Sequence, residues 1–574
     1  MILAALLLAA SLALGWTLAA RLTRKNQLAF AFPLAIAAGA WTLFLASLAI
    51  GFNDYSIVAA IILQAVAAAV LYGQKKPSLE HDKRIVALLV AGILLFTALQ
   101  YARFHYDANG NLAGIPIDFG FHSAIITSLA NGNFPPQNPF YDGHAFNYYY
   151  LTHLYSAALL KGGFPLQAAT WIPIVLASAA FIALLYLYVR KLFPKREHAA
   201  VAYLAIPLVL LNGTLAFWVA TPTTEFFHNA LRNTGFPFEN FLIDILIINQ
   251  SAVLGAVIAL MILLLIKEKK NTSAAILVGT LPLINAPFFV LGLSFLLFFT
   301  SIKQKIIATA MAVPQILLLQ NQNNGVLSNI TLHFGWMSQN QDILSILLFW
   351  INNLGPYLAL SLVALYFLKN KEINKIYLTL LLPAVLANFF IFTPYAWDNF
   401  KLFLLFFMFI AILSAYALIE IWKKGSLAKI FALVLLSTMT LTGVLSLATL
   451  ANHSEGLSYT RADLEACKWI EENTPKDAVF LIDNDHVQSC LFATVGRRVY
   501  LGFGEWLTNH GIDYTKQLEE NKQMLAGNCS LIKEKNLTYA YFTPNVKPSQ
   551  GLENQSVERY ASQSQVVLEL CKKT

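Results

Sequence analysis

From Ile2 to Ala20 the chain reads ILAALLLAASLALGWTLAA, an apolar run without one charged side chain. About 18 such residues suffice for a helix to cross the hydrocarbon core of a bilayer. Runs of this kind recur as far as residue 449. A chain that places so many of them in lipid must satisfy its backbone hydrogen bonds internally, and runs this long do so as helices. Composition agrees: 57% of residues are hydrophobic and 12% charged, against about a quarter charged in soluble domains. The reading is an all-α polytopic membrane bundle of about fourteen spans over residues 1–451.

Charge sets the expected orientation, because Lys and Arg favour cytoplasmic connections. The connections at 21–25, 75–84, 190–196, 267–270, 303–305, 369–375 and 423–429 hold 22 Lys and Arg. The alternate connections before residue 452 hold only Arg103, Lys161, Arg232 and Lys401. The first set is therefore expected inside the cell, with both termini outside. The alternation requires 273–301 to be two short helices rather than one. Arg21, Arg24 and Lys25 follow the first run instead of preceding it, which fits a retained helix and not a cleaved signal peptide. The net charge of +8 is accounted for by this collar facing anionic lipid, so no nucleic-acid partner is implied. The expected location is the plasma membrane.

Residues 452–574 are more polar and form a second, extracytoplasmic domain. Apolar runs at 478–483, 497–502 and 538–543 alternate with helical stretches, which reads as a small α/β fold with a mainly parallel sheet. All four cysteines (Cys467, Cys490, Cys529, Cys571) lie in this tail. Outside the cell two disulfides are open to them, as is a set of free buried thiols. None has the CxxC spacing of a zinc site.

The long external loop 103–166 holds the most chemistry. DFGFHSAIITSLANG begins at Asp118, repeats Phe121, Ile125 and Leu129 at fourfold spacing and stops at Gly132. That predicts a short amphipathic helix on the membrane surface, with Asp118 and His122 on one face. NFPPQNP is a stiff turn, because proline fixes its own φ and restricts the residue before it. Asp142 and His144 flank Gly143 in a second turn, and Tyr148, Tyr149 and Tyr150 lead back to the bundle. Each has a plain structural explanation: Asp118 as a helix cap, the tyrosines as an interfacial belt, Asp142 and His144 as turn stabilisers.

The acidic residue after an early span, the His four residues on, and NFPPQNPFYDGHAFNYYYL together resemble the first external loop of GT-C glycosyltransferases. More narrowly they are similar to the archaeal and chloroflexal membrane proteins grouped by a tyrosine triplet. GRRVYLGFGEWLTNHGIDY (496–514) and PYAWDNFK (394–401) resemble the same group. The resemblance implies a membrane enzyme that takes a sugar from a polyprenyl-phosphate carrier and passes it, with inversion, to an extracytoplasmic lipid, glycan or protein. It assigns the general-base role to Asp118, with His122 beside it. A leaving phosphate needs a cation, and Lys401 or Arg103 would supply it. Lys401 is three residues from Asp398, the spacing of an ordinary helical ion pair, and Arg103 suits snorkelling to headgroups. Asp142, His144, the tyrosines and a second polar pair, Glu225 and His228, are further substrate-binding candidates. No cofactor is certain and a divalent metal is possible; membrane lipids and the lipid-linked donor are the expected partners. GEW at 504–506 departs from the Trp-Trp-Asp signature of oligosaccharyltransferases, which leaves the acceptor open. The rival readings are a flippase for lipid-linked sugars and a non-catalytic envelope scaffold. The first lacks the repeat symmetry common in transporters, and the second leaves the long loop without a purpose.

Overall fold

The fold is that of a computed structural model, which describes residues 1–78, 80–113, 117–146, 148–213, 215, 241–321, 330–452, 459–484, 489–543, 546–562 and 565–572. Among the described residues nine helices are long and apolar enough to cross a membrane. A tenth is gained if Ile343–Leu354 and Pro356–Leu368, bent by 86° at Gly355, form one broken span. Against the expected fourteen, nine or ten of the described helices are of that length and composition. The 273–301 run does divide in two, as Asn271–Gly279 and Ala286–Phe299, but both pieces are shorter than a full span. The run beginning at 199 is described as helix only over Ala199–Leu210.

Three helices form the axis of the bundle. The most apolar windows of Leu166–Leu192, Gln250–Lys267 and Ala396–Trp422 are 83%, 89% and 94% buried, whereas that of Ile302–Gln320 is 17% buried. A helix apolar all round suits lipid and protein equally, so packing and not periodicity decides which runs become axial.

The N-terminal helix Ile2–Leu22 starts beside the end of the first loop, where Ala4 donates to the Gly162 carbonyl at 3.2 Å. The tail reaches the same end, where Leu112 and Tyr459 pair as a β-bridge. At the opposite end Lys191 pairs with Glu268 and Lys267 with Glu372, each at 2.6 Å. There Lys270 also donates to the Leu22 carbonyl, at 2.6 Å. Connections grouped by charge in the sequence thus meet in space.

The first loop opens with a hairpin, β1 (His105–Tyr106) and β2 (Leu112–Ala113). A second two-stranded pair, β3 (Thr331–Leu332) and β4 (Phe390–Ile391), lies between later spans. The tail holds β5 (Val479–Leu481), β6 (Arg498–Val499), β7 (Tyr539–Phe542), β8 (Val557–Ala561) and β9 (Val566–Glu569), in the spatial order β6-β5-β7-β9-β8. The three strands expected from the sequence are parallel; β8 and β9 add an antiparallel hairpin that was not expected. The helix expected over 513–535 is two, Thr515–Leu525 and Cys529–Glu534, parted at Gly527. The cysteines form two disulfides, Cys467–Cys490 and Cys529–Cys571, which settles the alternative left open above.

The tail docks along the GRRVYLGFGEW run. Gly496 has φ +68°, and a Cβ there would lie 2.4 Å from the Thr127 backbone, so the close approach requires glycine. Arg497 is buried and donates to the Glu471 and Thr474 carbonyls, at 3.2 and 3.0 Å, holding the end of the Arg461–Asn473 helix. Beyond it the edge strand β6 is covered. Val499 donates to Pro139 at 3.0 Å, Gly502 to Phe140 at 2.8 Å, and Asp142 to Tyr500 at 3.3 Å. Residues 139–142 of the loop thus extend the tail sheet by strand addition, which satisfies an otherwise open edge.

Candidate active site

The loop helix spans Ile117–Ala130 and carries Asp118 in its first turn, where a carboxylate is favoured by the helix dipole. The helix does not lie on a membrane surface. Phe121, Ser123, Ile125, Ile126, Thr127 and Leu129 are all buried. Thr127 donates to the Phe492 carbonyl of the tail at 2.8 Å, so the helix is clamped between tail and bundle. Its head emerges at the site, where Asp118 is exposed.

His122, one turn on, is buried, and its Nδ1 lies 2.9 Å from Nε2 of His153 on the following helix, Leu151–Lys161. Burial, with Lys401 and the His510 ring adding to it, pushes the His122 imidazole down to about 3. Burial and His122 hold His153 well below the usual value as well. Both rings are therefore neutral, and the pair is one N–H donor and one lone pair. Tyr148 stands beside His122 and stacks on Tyr149 with ring centroids 4.0 Å apart. Burial raises both phenols above their ordinary value, so each keeps its proton.

From the bundle, Asp398 and Lys401 enter at the head of the axial helix Phe400–Trp422. Lys401 is buried and its Nζ lies 2.7 Å from Asp398 Oδ1, the helical pair that the spacing allowed. The groups acting on the ammonium are Asp398 first, then the Tyr148 phenol, and Asp118 least. Asp118, His122, Tyr148, Tyr149, Asp398 and Lys401 therefore share one cluster, assembled from a loop and a span whose members lie 249 to 283 positions apart in sequence.

The other candidates lie elsewhere. Arg103 is buried and lines a cavity behind His122 with Gln100, Gln250, Phe104, Phe119 and Trp171. His122 borders both the cavity and the cluster. Tyr150 is packed in the core, its ring in an edge-to-face pair with Phe44. Asp142 binds Arg498 of the tail at 2.9 Å, and His144 stacks on Tyr141 at 4.0 Å. Asp142 belongs to the docking surface between loop and tail, whereas His144 is exposed and packs on Tyr141, which bridges to Leu501 of the tail. Glu225 and His228 lie outside the described residues. Among the described residues no group of three or more His, Cys, Asp or Glu is placed to hold a metal ion.

Two residues of the cluster were not singled out from sequence. His153 follows the tyrosine triplet by three positions. His510 comes from the tail and stacks on Phe121 with centroids 5.3 Å apart and planes 11° from parallel. Its signal was its place in the GRRVYLGFGEWLTNHGIDY run, whose other members carry the docking.

No curated protein matches the chain. Among solved structures, the Archaeoglobus fulgidus oligosaccharyltransferase in its apo form aligns at 15% identity with a TM-score of 0.39, covering 80% of this chain and 70% of that one. Over residues 36–234, which contain the loop helix, the tyrosine triplet and His153, the chain is similar to a family described as uncharacterized membrane protein (DUF2298).

Proposed function

We propose that this chain is a membrane glycosyltransferase of the GT-C type. It moves a sugar from a polyprenyl-phosphate donor to a hydroxyl acceptor at the end of the bundle that carries the tail, the extracytoplasmic end by the charge pattern. The observation that carries the reading is the convergence of Asp118 and Lys401 in one cluster. An inverting transfer needs a carboxylate on one side of the anomeric carbon and a positive group on the other. The acceptor oxygen attacks that carbon, its proton passes to Asp118, and the bond to phosphate breaks with the electron pair leaving on the phosphate oxygen. Lys401 then offsets the charge gained by the leaving group. Asp398 occupies one of the three ammonium donors and so aims the other two. His122 and Tyr148, both uncharged, wall the cluster without competing for either role.

The test is transfer by purified protein in lipid nanodiscs from a panel of polyprenyl-phosphate sugars. Asp118→Asn is expected to lower kcat by about 100-fold or more, the usual worth of a general base, while expression and membrane insertion persist. Lys401→Ala is expected to raise KM for the donor. Full activity of Asp118→Asn would remove the mechanism.

A further inference from the structure

His510 follows the short helix Gly504–Asn509, which the tail inserts against the loop. Its Nδ1 lies 2.5 Å from the carbonyl oxygen of Trp506. A carbonyl oxygen only accepts, so Nδ1 carries the hydrogen and Nε2 of the neutral ring carries a lone pair. The ring is held on its face by Phe121 and at its edge by Tyr148, whose centroid is 5.8 Å away. Among the described residues none donates a hydrogen bond to Nε2. The charged and titratable groups facing the ring are Asp398 and Lys401 from the axial helix, and Tyr148 and His122 from the loop. Burial holds the imidazole below its ordinary pKa, Lys401 adds to this, and the Trp506 carbonyl and Asp398 oppose it.

A lone pair in this place discriminates between ligands. The phosphodiester of a glycosylated carrier offers only lone pairs and is not recognised by Nε2, and a bare phosphate monoester, with a second pKa of about 6, keeps little hydrogen above neutrality. A sugar hydroxyl offers the hydrogen that Nε2 lacks. The sugar of a polyprenyl-phosphate donor is joined directly to the phosphate, so a phosphate on Lys401 brings the sugar to the groups around that ammonium. Resting on the glycosyltransferase reading, we infer that His510 is a sugar-binding residue delivered by the tail, whose Nε2 accepts a hydrogen bond from a hydroxyl of the donor's sugar. The tail is then part of the donor site, and the same lipid without its sugar makes no use of it.

The alternative for His510 is a purely structural staple through Nδ1, and substitution separates the two. His510→Asn keeps a donor for the Trp506 carbonyl and loses the Nε2 acceptor. His510→Gln places an amide oxygen near the Nε2 position and loses the staple. The measurement is equilibrium binding to full-length protein in nanodiscs of decaprenyl phosphate and of its glucosyl, mannosyl and galactosyl forms, with melting temperatures recorded in parallel. The expected result is that wild type prefers at least one glycosylated lipid to the bare one. His510→Asn weakens that lipid about tenfold, the worth of one hydrogen bond of ordinary strength, and leaves decaprenyl phosphate unchanged. His510→Gln stays within about threefold of wild type for the glycosylated lipid, on the same scale.

Unaltered binding of the glycosylated lipid by His510→Asn overturns the role of His510 while the glycosyltransferase reading stands. So does equal loss of both lipids, or greater loss in Gln than in Asn. Equal affinity of wild type for bare and glycosylated lipids also overturns it. Wild type that binds none of the four lipids overturns the reading itself.

Discussion

The Asp142 carboxylate binds the Arg498 guanidinium at 2.9 Å, joining the first loop to the tail across 356 positions of sequence. Both side chains are largely buried, at 25% and 19% exposure, so the pair escapes most of the screening that makes surface ion pairs nearly worthless. A double-mutant cycle of Asp142→Ala and Arg498→Ala is expected to give a coupling of about 1 kcal/mol. Tail melting in nanodiscs reads it; a coupling of zero would mean that strand addition alone holds the tail.

Gly496→Ala is expected to damage docking more than either of those changes. The new Cβ meets the Thr127 backbone at 2.4 Å, and the residue must also hold φ +68°. Backbone strain of this kind costs about 1–3 kcal/mol. Limited proteolysis is expected to release the tail of the variant while the bundle stays intact. A tail as resistant as wild type would show that the loop helix yields.

Reduction of the disulfides is expected to loosen the same interface. Cys467–Cys490 closes a loop of 23 residues and Cys529–Cys571 one of 42. Constraint of the unfolded chain over such loops is worth about 3–4 kcal/mol each. The first bridge also anchors the helix Cys490–Ala493, whose Phe492 carbonyl receives the Thr127 hydroxyl. Protease sensitivity with and without reductant checks this, and Cys467→Ala is predicted to affect docking more than Cys571→Ala.

Acid is expected to destabilise the site. His122, His153 and His510 are all held below the ordinary histidine value by burial, His122 to about 3. The fold keeps them neutral, whereas the unfolded chain takes up protons below about pH 6.5. Their stability is therefore fully present above neutrality. It falls as pH drops below 6.5, by up to about 1.4 kcal/mol per unit for each group. Melting at pH 7.5 and 5.0 is expected to show the loss, and His153→Gln to reduce it. Equal melting temperatures at both pH values would mean that the rings are charged in the fold.

The apolar runs, the two short helices at 271–299 and the three parallel strands were all readable because each depends on local composition and length. The loop helix was readable in extent, since Asp118, the fourfold spacing and Gly132 are local signals. Its setting was not. Phe121, Ile125 and Leu129 described an amphipathic stripe suited to a membrane surface, but the remaining faces of that helix are also covered, by residues 490–496 and 151–161. The Ser123 and Thr127 hydroxyls donate to carbonyls one turn back inside the packed interface, so small polar residues there are buried as well. Tyr150, the last of the triplet, is a core residue, while Tyr148 and Tyr149 lie at the cluster.

What the sequence determined by itself is the material and its order: helices for lipid, a basic collar at alternate connections, a polar loop with a carboxylate at a helix head, and a cysteine-bearing tail. These follow from hydrophobicity, charge and backbone preference, which act over a few residues. Only the tertiary structure decided that Asp118 comes within electrostatic reach of Lys401, that His122 is paired and neutral, and that His510 is carried in from the tail. Those relationships depend on which apolar faces pack together and on which strand edge is covered. Those choices are made by shape and burial across hundreds of residues, and no local pattern encodes them.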